Sequence, residues 1–80
     1  MEIKIFTLSI TVRNKSGVLL RVASLFSKRG YNIESLHVEA LKKDEAFSKI
    51  IMTSKGDDAT KEQIVKQLLK LHDVKEVKII

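Results

Sequence analysis

Asn14-Lys15-Ser16-Gly17-Val18-Leu19 is the stretch whose residue types and spacing can do chemistry. It lies where a strand pattern ends and a helical pattern begins. A helix N-terminus presents unpaired backbone N–H groups and a partial positive charge of about half an electron. Ser16 suits the cap position, where its hydroxyl can accept from an amide one turn on. Gly17 then falls at the first helical position, and with no Cβ there a small carboxylate can approach the amides closely. The same Ser-Gly pair also makes a tight turn that binds nothing, so the surrounding elements decide between the two.

The elements follow from periodicity. From Ile3 to Arg13 apolar residues alternate: Phe6, Leu8, Ile10 and Val12 point one way, Thr7, Ser9, Thr11 and Arg13 the other. That is a half-buried strand. Over Gly17 to Arg29 the period becomes helical, with Val18, Val22, Leu25 and Phe26 on one stripe, cations in the last turn and Gly30 as the stop. Tyr31 to Ala40 reads as a second strand whose parity slips between Ile33 and Leu36, which a bulge near Ser35 would reconcile. Phe47 to Ser54 is a third strand, with Ile50 and Met52 on one face and Phe47, Lys49 and Ile51 on the other. A second helix is expected from Ala59 to Leu71, behind Asp57 and Asp58 and with a Thr60–Gln63 pair at capping-box spacing. Val74 to Ile80 closes the chain as a strand with Val77 and Ile79 inward.

This order predicts an α+β, ferredoxin-like βαββαβ sandwich: a four-stranded antiparallel sheet with two helices on one face. Right-handed crossovers put the first and third strands in the centre and the second and fourth at the edges. The second strand has no proline to protect it, and such an edge invites another chain. Eighty residues, read as one domain over 1–80, bury only about 60–65% of their unfolded surface. Both points favour a homodimer paired through the second strand.

Composition narrows the chemistry. No cysteine is present, which excludes disulfides, thiolate metal sites and a cysteine nucleophile and suits a reducing, cytoplasmic setting. No apolar run approaches the roughly 20 residues of a membrane span, and Met1-Glu2-Ile3-Lys4 leads straight into a strand pattern with no signal peptide. The net charge of +5 is dispersed among acids and reads as a solvated surface rather than a nucleic-acid stripe. His37 and His72 have no nucleophile or paired carboxylate beside them, so no catalytic residue, metal site or cofactor is expected. An RNA-recognition module shares the βαββαβ order. It needs aromatic platforms on the central strands, and Thr7, Ser9 and Thr11 do not supply them.

Ser16-Gly17-Val18-Leu19, Arg21-Val22, Leu25-Phe26-Ser27 and Arg29-Gly30-Tyr31-Asn32-Ile33-Glu34-Ser35-Leu36 strongly resemble the ACT domain of the acetohydroxyacid (acetolactate) synthase small, regulatory subunit. The likeness is strongest from Val12 to Val38. It implies a non-catalytic subunit that binds the large, thiamin-diphosphate-dependent subunit, raises its activity and confers feedback inhibition by valine or another branched-chain amino acid. It further implies an effector site between two copies. One wall would be Asn14, Ser16, Gly17, Val18 and Leu19; the other would be Asn32 and Ile33 of the neighbouring chain. The chemistry agrees. Amides around Gly17 and Val18 would take the carboxylate, Asn14 or Asn32 would orient the charged ends, and Val18, Leu19 and Ile33 would line an apolar slot. Asn32 also suits the turn after Gly30, and Ile33 also suits the core. Many members carry a second domain of similar length, which these residues lack. Glu39 stands where the family has a small residue, and its carboxylate is expected near the pocket rim. A free-standing amino-acid sensor serving another enzyme or regulator is the alternative reading.

Overall fold

A computed structural model describes residues 2–80. The chain runs β1 (Lys4–Arg13), α1 (Val18–Lys28), β2 (Asn32–Ala40), β3 (Phe47–Gly56), α2 (Asp58–Leu69) and β4 (Val74–Ile79). The sheet order is β2-β3-β1-β4, and every neighbouring pair is antiparallel. This is the ferredoxin-like arrangement, with β1 and β3 central. The reading of the N-terminus includes Met1, which lies outside the described residues.

The core is built from three periodicities that meet. β1 buries Phe6, Leu8, Ile10 and Val12; β3 buries Ile50 and Met52. From α1 come Val18, Val22 and Phe26, four residues apart, and from α2 come Ile64 and Leu68. All belong to one cluster, so both helices cover the same face of the sheet. The expected bulge in β2 is present. Ile33 faces Ser54 and Ser35 faces Thr53, leaving Glu34 as the extra residue. The slip returns Ile33, Leu36 and Val38 to a single face.

Helix α1 ends as its glycine predicts. Gly30 has φ +72°, Tyr31 N–H donates to the Phe26 carbonyl at 2.9 Å, and Gly30 N–H donates to the Ser27 carbonyl at 3.2 Å. These two bonds form a Schellman stop. The Tyr31 ring then packs edge-on against Phe26, centroids 5.8 Å apart, which seals the turn.

Element ends differ from expectation in several places. α1 starts at Val18 and stops at Lys28, one residue inside Gly17–Arg29 at each end. α2 spans Asp58–Leu69 rather than Ala59–Leu71, and its cap is Asp57, whose carboxylate accepts from Thr60 N–H at 2.8 Å. The Thr60–Gln63 box does not form; Gln63 Oε1 accepts from the Tyr31 hydroxyl instead. β1 begins at Lys4 rather than Ile3, β3 extends past Ser54 to Gly56, and β4 ends at Ile79 rather than Ile80. Ile79 pairs with Leu8, yet it is 53% exposed rather than inward, whereas Val77 packs against the core as expected.

The bond from Thr60 N–H holds the Asp57 carboxyl below the ordinary carboxylate range. A carboxyl lowered by folding adds stability above its unfolded value and loses that contribution as pH falls through its folded value. Asp57→Ala is therefore expected to melt at a lower temperature than the parent at pH 7. The two should converge well below pH 4, where the parent's carboxyl is protonated. Asp57→Asn, which keeps a capping oxygen, should lie between them. Thermal melts followed by circular dichroism at the two pH values check this.

Candidate functional site

The turn between β1 and α1 is held from three sides. Arg13 N–H donates to the Asp73 carbonyl at 2.8 Å, and Asn14 N–H donates to the Ala46 carbonyl at 2.7 Å. Asn14 Nδ2 donates to the Glu45 carbonyl at 3.1 Å. The Lys15 carbonyl then accepts from Val18 N–H at 3.3 Å, closing a four-residue turn whose third residue, Gly17, has φ +85° and ψ −10°. That is the type II geometry, which requires a positive φ at this position.

This corrects the expected cap. Gly17, not Ser16, is the N-cap, and no side chain bonds the helix amides. Ser16 occupies the second turn position, where its hydroxyl does not reach them. The Val18 amide, expected to be open, is engaged by Lys15. Arg21 N–H makes the first helical bond, to the Gly17 carbonyl at 3.0 Å, so the Leu19 and Leu20 amides have no helical partner. The amides left without helical partners are thus those of Leu19 and Leu20 rather than that of Val18.

Below this turn lies a shallow cleft of about 70 Å³, lined by Asn14, Val18 and Leu19 with Val38 and Ile50. Val18 is its buried floor, whereas Leu19 and Val38 are its exposed apolar walls. Asn14 spends its amide nitrogen on Glu45, which leaves Oδ1 as its acceptor beside the cleft. Val38 was legible only as an inward strand residue, because nothing in the sequence sets β2 against the start of α1.

Asn32 and Ile33 do not join this cleft on the same chain. They start β2, opposite Lys55 and Ser54, whereas Val38 near its far end is opposite Ile50. At about 3.3 Å per residue the two walls lie roughly 13–17 Å apart along the sheet, four to five β3 residues from Ser54 and Lys55 to Ile50. The Asn32 carbonyl accepts from the Ser54 hydroxyl, which pins the start of the strand. Ile33 is half-buried rather than core. No residue of β2 is buried, and Leu36 and Val38 are 41% and 42% exposed on the face that helices cover elsewhere.

Glu39 is not at the pocket rim. It pairs with Lys49 on the opposite face from Val38 and lies 3.7 Å from His37 Nε2.

Sequence reasoning missed Asp73. Its side chain is 3% exposed, and three cations from the β1–α1 region converge on it. Arg21 Nη1 lies 2.7 Å from Oδ2, while Lys15 Nζ and Arg13 Nε lie 3.7 and 3.9 Å from Oδ1, which accepts no hydrogen bond. The carboxylate stitches the α2–β4 turn to the start of α1. Only the excess of cations at Arg13, Lys15 and Arg21 hints at it in the sequence.

Among the described residues no group of His, Cys, Asp or Glu is placed to hold a metal ion. No helix is long and apolar enough to cross a membrane. On the helix-free face the ring of Phe47 lies under Lys75 Nζ, 4.4 Å from its centroid.

A family model described as the AHAS small subunit-like ACT domain matches residues 8–76. The chain is similar to a probable acetolactate synthase small subunit of Archaeoglobus fulgidus, 49% identical over 65 residues that cover 81% of this chain and 40% of that protein. It is also similar to the acetolactate synthase isozyme 3 small subunit of Escherichia coli, 52% identical over 67 residues, 84% of this chain and 40% of that one. The crystal structure of an acetolactate synthase small subunit from Thermotoga maritima superimposes with a TM-score of 0.88 at 41% identity, covering 95% of this chain and 47% of the other. The chain thus spans less than half the length of these relatives.

Proposed function

Because the chain belongs to the ACT-domain family of acetohydroxyacid synthase small subunits, we propose that it is a cytoplasmic, non-catalytic regulatory element of that enzyme. It binds valine or another branched-chain amino acid between two copies of itself and modulates the large catalytic subunit. It needs no cofactor of its own. The observation that carries this reading is the pairing of an amide-rich Gly17 turn with an apolar cleft that is open along an unpaired edge strand.

The geometry of an antiparallel two-fold supports the composite site. A two-fold axis normal to the sheet sets one β2 residue against its own copy and reverses the order of the rest. With the axis near Leu36, the midpoint of β2, Asn32 and Ile33 of one chain reach the Val38–Ala40 end of the other. The effector carboxylate then meets the Gly17, Leu19 and Leu20 amides. Its ammonium meets Asn14 Oδ1 and the second chain's Asn32, and its side chain meets Leu19, Val38 and Ile33. A ligand held by both chains favours one dimer geometry, and the large subunit senses that preference.

Two measurements test the reading. Calorimetry should show saturable binding of valine, leucine or isoleucine. The slot separates these by only about 1–3 kcal/mol per methylene, so all three should register with graded affinity. Mixing with the large subunit should raise its turnover, and the preferred amino acid should lower it again. Recovery of an unrelated enzyme instead of the large subunit in a pull-down would favour a free-standing sensor.

A further inference from the structure

Three turns meet at one end of the sheet. Bonds from Arg13 N–H to the Asp73 carbonyl and from Asn14 N–H to the Ala46 carbonyl tie the β1–α1 turn to the α2–β4 and β2–β3 turns. This end gathers Arg13, Lys15, Arg21, Lys42, Lys43 and Lys75, against Asp44, Glu45 and the buried Asp73. Asp44 is already occupied in its own turn, accepting from Ala46 N–H at 3.1 Å. Asp73 neutralises one cation well. Arg21 is in hydrogen-bond contact, whereas Arg13 and Lys15 stand 3.7–3.9 Å away, more than half exposed, and among the described residues their side chains donate no hydrogen bond. Beside them a cleft of about 270 Å³ opens between Arg13, Phe47, His72 and Lys75, with Asp73 among its walls.

We propose that this end of the domain docks an acidic segment of a protein partner, whose carboxylates enter the cleft and take the donors of Arg13, Lys15 and Lys75. Three cations that share one carboxylate leave a net positive field that steers an acidic surface and fixes its register. A second copy of this chain would bring the same sign and is disfavoured. A polynucleotide fits poorly too: Asp44 and Glu45 interrupt the cations, and Phe47, the aromatic at this end, lies under Lys75. The position also explains coupling. Lys15 and Gly17 share one turn, so a ligand on the Gly17 side and a partner on the Lys15 side bias the same segment, each altering the affinity of the other.

The partner is taken to be the large subunit, so this inference rests on the proposed function, and the experiment separates the two. Binding of the full chain to the large subunit is measured by calorimetry at low and high salt. The parent is compared with Lys42→Glu/Lys43→Glu and with the triple variant that adds Lys75→Glu. The double variant leaves the Lys75–Phe47 contact and the effector turn untouched. The expected result is parent binding that weakens with salt, a loss of at least tenfold in the double variant with a further loss in the triple, and unchanged valine titrations. Equal binding by parent and variants would overturn the docking surface and leave the regulatory reading standing. Failure of the parent itself to bind the large subunit would remove both. Salt-sensitive retention on a single-stranded oligonucleotide, without capture of the large subunit, would assign these cations to nucleic acid and overturn the proposal.

Discussion

Gly17→Asp is expected to weaken valine binding by roughly 100-fold while leaving the fold and the dimer intact. The new carboxylate would sit at the start of α1 and compete for the Leu19 and Leu20 amides that the effector needs. Loss of one charge-assisted hydrogen bond of about 1.5–3 kcal/mol corresponds to roughly 10- to 150-fold in affinity. Repulsion between two carboxylates adds to it. The fold should tolerate the change. A Cβ built on Gly17 meets nothing within 4 Å, so the penalty is confined to the positive φ. That penalty is about 1–2 kcal/mol for an L residue and smaller for Asp or Asn. A negative charge at a helix N-terminus recovers part of it. Gly17→Asn carries the same backbone cost without the charge, so it should lose less affinity than the aspartate. Calorimetry with valine and native mass measurement read both effects. Normal heats with Gly17→Asp would remove the carboxylate from this turn.

The cap on which that prediction depends shows where sequence reading succeeds and where it stops. The alternation in β1, the four-residue stripe of α1 and the Gly30 stop are local, because each is set by the residues within one strand or turn. The β2 bulge was legible for the same reason, since the parity of Ile33 conflicts with that of Leu36. The cap was not. Ser16 is the better capping residue by type, but the Lys15 carbonyl closes a turn on Val18 and moves Gly17 into the cap position. Asp57 likewise displaced the Thr60–Gln63 box, because Gln63 turns toward Tyr31 on another element. Both outcomes depend on backbone or side-chain partners that periodicity does not contain.

The site divides along the same line. Asn14, Val18 and Leu19 are adjacent in sequence and meet in one cleft, whereas Val38 enters it through the pairing of β2 with β3. Asp73 is sixty residues from Arg13 in the chain, and only the folded sheet brings them together. Glu39 shows the converse: its neighbour Val38 faces the cleft, so strand alternation turns Glu39 to the other side.

Leu36→Lys with Val38→Lys is expected to convert the dimer to folded monomers at micromolar concentration. Both residues lie on the helix side of an edge strand and are about two-fifths exposed in the single chain, so a lysine at either position can carry its ammonium into water. The monomer core, centred on Phe26, Leu8 and Ile50, is not touched. At a β2–β2 junction with the axis near Leu36, residue 36 faces its own copy and residue 38 follows on the same face, so apolar contact is lost and two lysines oppose each other at the axis. Half-burial of four such side chains in a dimer contributes roughly 3–6 kcal/mol, equivalent to two to four powers of ten in the dimer dissociation constant. Ile79→Lys on the opposite edge serves as the control and should leave the mass unchanged. The double variant should also lose valine binding on two counts, since Val38 is itself a wall of the cleft and the second chain is gone, whereas Gly17→Asp should lose binding as a dimer. A double variant that keeps the dimer mass would place the junction elsewhere. A monomer that still binds valine with parental affinity would show that one chain suffices and that Asn32 and Ile33 have no part in the site.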